Sequence, residues 1–317
     1  MTLLRAVKSP DNIIGSAIRW VERSLEFLWL LALVAVPLAF VDRESFLSEL
    51  ELAYVDVPKT VLLRTLVGLM ASLWLIESVL QHRGQLGSPL TKELQYLRPL
   101  AWFKTLSRWL RESPNRWVTL TVILYLVSIS LSTTLSESFG VSMWGLVPGQ
   151  DTYSAYTIIC YVVLFGVIAT HVKSKDQVKR LLWAVALMGV LVSGYSWAQF
   201  YAHDVFNLRE TPGLRQSGST LGNSILAGGI LLMTITVSLT VAAISLRQPL
   251  RSARFCVTLG LWTLILTMQM TALILSSGRG SWGASAVAMA VLLGLMAVFA
   301  QRSSFVRITT VFGLAAG

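Results

Sequence analysis

Charged side chains are scarce in this sequence of 317 residues, of which only 13% are Asp, Glu, Lys or Arg. A soluble domain carries about 25% charged residues. Half of that amount does not cover the water-facing surface of a soluble protein of this size. The scarcity therefore excludes a soluble protein and indicates that much of the surface faces lipid.

Cysteine and histidine are also rare, with two and three copies. Cys160 and Cys256 lie inside hydrophobic runs without the spacing of metal ligands, so we interpret them as small apolar side chains. The sequence lacks a nucleophile motif, a phosphate-binding glycine loop, a paired-histidine metal site and a dinucleotide fingerprint. We therefore expect no metal and no cofactor, and chemistry driven by ATP has no support.

Hydrophobic residues are abundant at 54%, and long runs of them are separated by short polar loops. A membrane-spanning helix needs about 20 mostly apolar residues. Runs that reach or approach this length lie at 25–41, 60–80, 117–135, 153–171, 180–201, 223–246, 255–276 and 282–300. A ninth run begins near Phe305 and continues to Gly317. We expect an all-α fold, a polytopic transmembrane helical bundle in one domain over 1–317, with about eight full spans and the start of a ninth.

The loops alternate in charge, and the formal net charge is +10. Basic residues concentrate in the N-terminal segment and in 81–116, 172–180, 247–254 and 301–304. The other loops are 42–59, 136–152, 202–222 and 277–281. Because basic loops stay in the cytoplasm, we predict a cytoplasmic N-terminus. The basic groups would contact membrane lipids rather than nucleic acid, since no basic stripe carries interleaved aromatic residues.

The basic loop 81–116 has a helical spacing of apolar residues. Trp102, Leu106 and Trp109 alternate with Lys104 and Arg108. This pattern predicts an amphipathic helix that lies on the inner leaflet. Interfacial anchoring is the simple interpretation, and binding of a regulatory partner is the alternative.

Two arginines lie in small polar stretches on the predicted outer face. Arg215 precedes Ser219, Gly222 and Asn223, and Arg279 lies in the turn 276–281 between two spans. A guanidinium binds phosphate bidentately, and backbone N–H groups around Gly222 and Asn223 would add donors. Such a pair suits a lipid-linked diphosphate. The alternative is that each arginine reaches toward the membrane surface or caps a turn.

Few other ionisable groups stand out. Asp204, Glu210 and His203 share the outer loop 202–222, where they are a candidate general base or solvated charges. Near the cytoplasmic side we interpret Glu77 as a carboxylate that reaches the surface, and His171 shows no partner pattern. The span centres contain almost no charged residues, which disfavours transport.

The sequence resembles the O-antigen ligase and O-antigen polymerase superfamily of bacterial envelope glycosyltransferases. The matching stretches are RQSGSTLGN at 215–223 and LSSGRGSW at 275–282. A weaker match runs from 131–136 to Trp144 and Tyr153. Together the matches are distributed over most of the chain and occur in the order typical of the family.

The resemblance implies glycan transfer at the outer face of the bacterial cytoplasmic (inner) membrane. The donor would be an undecaprenyl-diphosphate-linked glycan and the acceptor a glycan or lipid, without nucleotide sugar or metal. Arg215 and Arg279 would be catalytic, because they hold the diphosphate and stabilise the leaving group. Ser219, Gly222 and Asn223 would join both arginines in substrate binding.

The sequence departs from the family in one respect. Members have a large outer loop whose histidine is thought to activate the acceptor hydroxyl, and no residue here matches it. We therefore interpret the chain as the front part of a longer or split enzyme, and expect it to be inactive or strongly impaired alone. The alternative functions are a membrane transporter, of bicarbonate type or for another small solute, and a non-catalytic membrane scaffold.

Overall fold

All regular structure that the computed structural model describes is helical. It describes residues 10–41, 53–82, 115–146, 153–201, 204, 206, 208, 216–246, 252–299 and 302–316, and no strand occurs among them. The chain divides into two compact units. The first unit contains the described parts of Met1–Trp29 and Arg64–His171, and the second those of Leu30–Leu63 and Val172–Gly317.

Ten α-helices occur within the described residues. The first five are α1 Pro10–Leu38, α2 Ala53–His82, α3 Asn115–Thr134, α4 Phe139–Trp144 and α5 Ala155–His171. The next five are α6 Lys175–Tyr201, α7 Ser224–Ser245, α8 Ala253–Leu275, α9 Arg279–Phe299 and α10 Arg302–Ala316. A 3-10 turn, Ser219–Leu221, lies between α6 and α7.

Six of these helices are long and apolar enough to cross a membrane, which confirms a multi-pass helical membrane protein. They contain Val55–Gln81, Arg116–Thr134, Lys175–Tyr201, Ser224–Ser245, Ala253–Leu275 and Arg279–Val298. The helix in the predicted span 153–171 is apolar but has only 17 residues. Helix α1 is not among the six, because its apolar part follows a charged first half, and α10 has 15 residues. The total of eight spans and a ninth stays a prediction.

The structure describes part of the predicted loop 136–152 but almost none of the predicted loop 81–116. The predicted loop 136–152 contains the short helix α4, which ends at Gly145 with φ of 97°. The predicted amphipathic helix in 81–116 lies outside the described residues, apart from the ends of α2 and α3.

The second unit has its apolar core where α6, α7 and α8 pack against one another. Leu231, Ile235 and Leu266 are fully buried there, and α9 and α10 pack on the same group. Gly189 of α6 permits a close crossing, because a Cβ atom would lie 2.6 Å from the Thr234 Cβ. Small residues at such crossings allow helices in a membrane to approach closely.

Candidate functional site

The two arginine-containing stretches of the sequence meet within the second unit. The Ser217 N–H donates a 3.1 Å hydrogen bond to the carbonyl of Leu275, the last residue of α8. Gly228 of α7 packs against α9, since a Cβ on it would lie 2.5 Å from Ser281 Oγ. The segment 216–223 and the turn 276–279 are therefore neighbours, as the sequence predicts for a shared site.

Both stretches contain unusual backbone geometry. Ser219 has φ of 51° and Ser277 has φ of 55°, and among the described residues these are the non-glycine positions with positive φ. Gly218 has no space for a side chain, because a Cβ would lie 2.6 Å from the carbonyl carbon and oxygen of Gly222. Residues held in rarely populated backbone conformations cluster at functional sites. The geometry marks these two turns as a candidate site.

Gln199 of α6 binds the segment 216–223 through its side-chain amide. Its side chain is 1% exposed, and its Oε1 accepts 2.9 Å hydrogen bonds from Ser217 Oγ and the Ser219 N–H. The Ser219 hydroxyl donates at 2.7 Å to the Val192 carbonyl. One buried amide thus satisfies two donors of the turn, a role that no local sequence pattern indicates.

Asp204 is bound to α6. The Tyr195 hydroxyl donates to its Oδ1 at 2.5 Å, and the Gln199 Nε2 donates to its Oδ2 at 3.1 Å. Asp204 is only partly exposed, and both interpretations, a candidate general base and a solvated loop charge, stay predictions. Of its two donors, Gln199 also supports the 216–223 segment. His203 and Glu210 lie outside the described residues.

Lys59 is a cation at the site that sequence reasoning missed. Its Nζ donates to the carbonyls of Ala39 at 2.6 Å and of Thr220 at 2.7 Å. The Thr220 hydroxyl donates in turn to the Pro37 carbonyl at 3.0 Å. The only available signal was a lysine next to a proline at the start of a hydrophobic run. Lys59 therefore holds the backbone of the 3-10 turn and adds positive charge there.

Asn223 acts as the N-cap of α7. Its Oδ1 accepts from the N–H groups of Ile225 at 2.8 Å and Leu226 at 3.4 Å. The Gly222 N–H donates to the Ser219 carbonyl at 3.4 Å. We predicted that the N–H groups around Gly222 and Asn223 would bind an anion, but these N–H groups donate hydrogen bonds within the protein. Anion binding at this site would therefore depend mainly on cationic side chains.

Arg279 is the first residue of α9, and its side chain is exposed. It makes no hydrogen bond or ion pair within the part of the chain that the structure describes. Arg215 lies outside the described residues and directly precedes Gln216 in the sequence. One predicted ligand of the diphosphate is thus located at the site, with its guanidinium available.

An apolar cavity of about 190 Å³ lies beside the first turns of α9. Ile274, Trp282, Met289 and Phe312 contribute to its wall. The indole N–H of Trp282 donates at 2.9 Å to the Leu273 carbonyl, which fixes this wall against the end of α8. Arg279 precedes Trp282 by about one helical turn. An exposed cation and a hydrocarbon-lined cavity therefore adjoin each other.

The first unit contains a buried acid–histidine pair that the sequence did not reveal. His171 Nε2 lies 2.6 Å from Glu77 Oε2, and each side chain is 5% exposed. Gln81 Nε2 donates to the other carboxylate oxygen at 2.7 Å, and His171 Nδ1 lies 2.8 Å from the Val167 carbonyl. The interpretation of Glu77 as a surface-reaching carboxylate was therefore wrong, and His171, which shows no partner pattern in the sequence, has a buried partner. The pair joins α2 to α5 and its two members are 94 residues apart in the sequence, so no local spacing predicts it.

The apolar helices and their internal polar contacts define a multi-pass helical membrane protein. No protein-family model, curated protein or solved structure matches the chain. The resemblance to the O-antigen ligase superfamily therefore rests on the motif residues alone.

Proposed function

We propose that the chain is an O-antigen ligase-like membrane glycosyltransferase. It would move a glycan from an undecaprenyl-diphosphate carrier to a glycan or lipid acceptor, at the outer face of the bacterial cytoplasmic membrane. The observation that supports this most is the hydrogen bond from the Ser217 N–H to the Leu275 carbonyl. It joins the two stretches that carry the family resemblance, RQSGSTLGN and LSSGRGSW.

The chemistry needs positive charge where the carrier leaves. The acceptor oxygen forms a bond to the anomeric carbon of the glycan, and the bond from that carbon to the diphosphate oxygen breaks. The acceptor's proton passes to a base or to water, and the carrier diphosphate departs with additional negative charge. Arg279 and Arg215 would bind this diphosphate and stabilise the developing charge.

The carrier also has a hydrocarbon part that must be accommodated. The cavity beside Trp282 and Phe312 is apolar, and Arg279 lies about one turn before Trp282 on α9. This arrangement suits a lipid whose charged head lies at the turn and whose first isoprenoid units enter the cavity. Gln199 and Lys59 would act as positioning residues, because they bind the backbone of the 216–223 segment. The diphosphate itself would be bound by Arg215 and Arg279.

The direct test measures binding of undecaprenyl diphosphate to the purified chain and glycan transfer in membranes that contain carrier and acceptor. We expect Arg215→Gln and Arg279→Gln to fold normally and to weaken carrier binding on the order of tenfold or more, since each loses charge-assisted hydrogen bonds to phosphate. Any transfer should fall by about 100-fold, the effect on the rate of losing one such donor. The matched control is Arg254→Gln, since Arg254 is an exposed arginine near the start of α8. Carrier binding that is absent in the wild-type chain, or equal in all variants, contradicts the proposal.

The same variants separate the alternatives. A transporter would move bicarbonate or another small solute into liposomes, and a scaffold would lose only contacts with its partners. Bicarbonate flux that persists in Arg215→Gln and Arg279→Gln, without any carrier binding, would identify a transporter.

A further inference from the structure

Arg64 is a charged residue inside a membrane-spanning helix. It lies nine positions after Val55 in the span Val55–Gln81, or about 13 Å along the helix axis. Its side chain is half-buried. Ionisable residues at such depth in a membrane are costly and mark functional sites by default. The run around Arg64 remains hydrophobic enough to be recognised as a membrane span, so its mean hydropathy does not reveal the arginine.

Hydroxyl groups of the α5 start hold the Arg64 guanidinium. Its Nη2 donates to Ser154 Oγ at 3.0 Å and to Thr157 Oγ1 at 2.8 Å, and its Nε donates to Thr157 Oγ1 at 3.3 Å. Ser154 and Thr157 are both buried. The Tyr156 ring covers one face of the guanidinium, with 5.0 Å between the Arg64 Cζ and the ring centroid. The N–H groups of a guanidinium lie in its plane, so a ligand that accepts hydrogen bonds from Arg64 has to lie in that plane.

The positive charge of Arg64 has no carboxylate partner within the described residues. Glu77 lies 13 positions further along α2, about 20 Å away, and is paired with His171. An arginine stays charged at any working pH. Neutral hydroxyls and an aromatic ring thus surround a full charge, and an anion is the missing complement.

The donors that remain match an oxyanion. A guanidinium has five N–H groups, and the three bonds to Ser154 and Thr157 leave both N–H groups of Nη1 unused. The two hydroxyl oxygens lie 3.0 Å apart and share one hydrogen, so the other hydroxyl hydrogen can point outward. The two N–H groups on Nη1 diverge, and each can donate one charge-assisted hydrogen bond to an oxygen of a phosphate or carboxylate.

We propose that Arg64, Ser154 and Thr157 form an anion-binding site, whose residues all belong to the first unit. Its ligand is an oxyanion, a phosphate or carboxylate group of either a lipid headgroup or a small free anion. The inference does not rest on glycan transfer, because none of these residues belongs to the Arg215 and Arg279 stretches. Transporters hold substrates at this depth, so the site also bears on the transport alternative.

The experiment follows thermal unfolding of the full chain, monitored by intrinsic tryptophan fluorescence, in two arms. In neutral detergent, inorganic phosphate or bicarbonate replaces chloride at constant ionic strength. In nanodiscs, phosphatidylglycerol replaces phosphatidylcholine. We expect the melting temperature to rise in at least one arm, and the apparent affinity to fall on the order of tenfold or more in Arg64→Gln. Thr157→Val, which keeps the arginine but removes a hydroxyl, should show a smaller loss.

Two controls keep the result specific. Arg254→Gln changes an exposed arginine and should respond like the wild type. Stabilisation that disappears in Arg279→Gln and persists in Arg64→Gln belongs to the other site and overturns the inference. If Arg64→Gln does not fold, Thr157→Val and Ser154→Ala carry the test. A response in detergent identifies a small anion, a response only to phosphatidylglycerol identifies a headgroup, and no response in either arm overturns the inference.

Discussion

The two units treat buried polar side chains differently. In the first unit two ionisable side chains within the helices have side-chain partners, because Glu77 pairs with His171 and Arg64 donates to Ser154. In the second unit the buried polar side chains of the helices are neutral, and several have no partner at all. Every buried side-chain polar atom without a hydrogen bond, among the described residues, belongs to this unit: those of Thr60, Ser196, Ser238, Thr263 and Gln269.

The difference follows from what each kind of group costs in lipid. An unpartnered neutral group costs about 1–3 kcal/mol, whereas a buried charge without its partner costs about 3–5 kcal/mol. Hydroxyls and a single amide are therefore tolerated where α6, α7 and α8 approach closely. We conclude that the first unit depends on a few strong pairs and the second on close packing.

The largest effect that this comparison predicts is at the acid–histidine pair. Glu77→Ala leaves His171 buried without its carboxylate and should destabilise the protein by about 3–5 kcal/mol. Unfolding in mixed micelles measures the change. The control Glu137→Ala removes an exposed carboxylate of the same unit and should change stability by less than about 0.5 kcal/mol. Equal effects of the two variants would show that the pair contributes nothing.

The second prediction tests close packing in the second unit. Gly189→Ala places a methyl group 2.6 Å from Thr234 Cβ and 2.7 Å from Gln269 Nε2, and should cost about 1–3 kcal/mol. Gly194→Ala, five residues along the same helix, has its nearest neighbour at 4.0 Å and should be neutral or stabilising. The same unfolding assay applies. A stabilised Gly189→Ala would mean that α6 and α7 do not cross closely.

The third prediction contrasts two buried glutamines of the second unit. Gln199→Met leaves the buried Ser219 N–H without its acceptor and should destabilise the protein by about 1–3 kcal/mol. Carrier binding should also weaken. Gln269→Met removes two unpartnered polar atoms and should stabilise by about 1 kcal/mol. Opposite signs in chemical denaturation support the comparison. Destabilisation by Gln269→Met would instead reveal a ligand or water that this amide binds.

The smallest predicted effect concerns backbone strain beside Arg279. Ser277 has φ of 55°, so Ser277→Gly should stabilise by about 0.5–1 kcal/mol, and Ser277→Ala should give no gain. Thermal unfolding separates the two variants. If Ser277→Gly also weakens carrier binding, the strained geometry contributes to function. If it destabilises, the positive φ carries no strain.

The sequence predicts the properties that depend on local pattern. Long apolar runs appear as helices because every backbone polar group must be bonded within lipid, and a helix does this locally. The neighbourhood of the 216–223 segment and the 276–279 turn was also predictable, since both were expected on one side of the membrane. The interior of the site was not. Gln199 lies at the end of an apolar helix, and its role appears only when the segment folds over it.

Residues that contact each other across long sequence separations could not be predicted either, because no local pattern records such contacts. Glu77 and His171 each looked like an ordinary charge near a span end. Arg64 lies within the run 60–80, where one charge among apolar residues hardly alters the mean hydropathy. Its presence weakens the expectation that the span centres carry too little charge for transport. Only the contact with Ser154 and Thr157 distinguishes it from an arginine that reaches toward the surface.

The hydrogen bond from Ser217 to Leu275 also has a consequence for biogenesis. The acceptor is synthesised 58 residues after the donor, since 275 − 217 = 58. At roughly 5–20 residues per second, the ribosome needs about 3–12 s to add that length of chain. During this interval the Ser217 N–H lacks its acceptor, although Gln199 and Lys59, which also bind the segment, are already synthesised. The hydrogen bond between the two stretches of the candidate site therefore forms only after a later helix has been made.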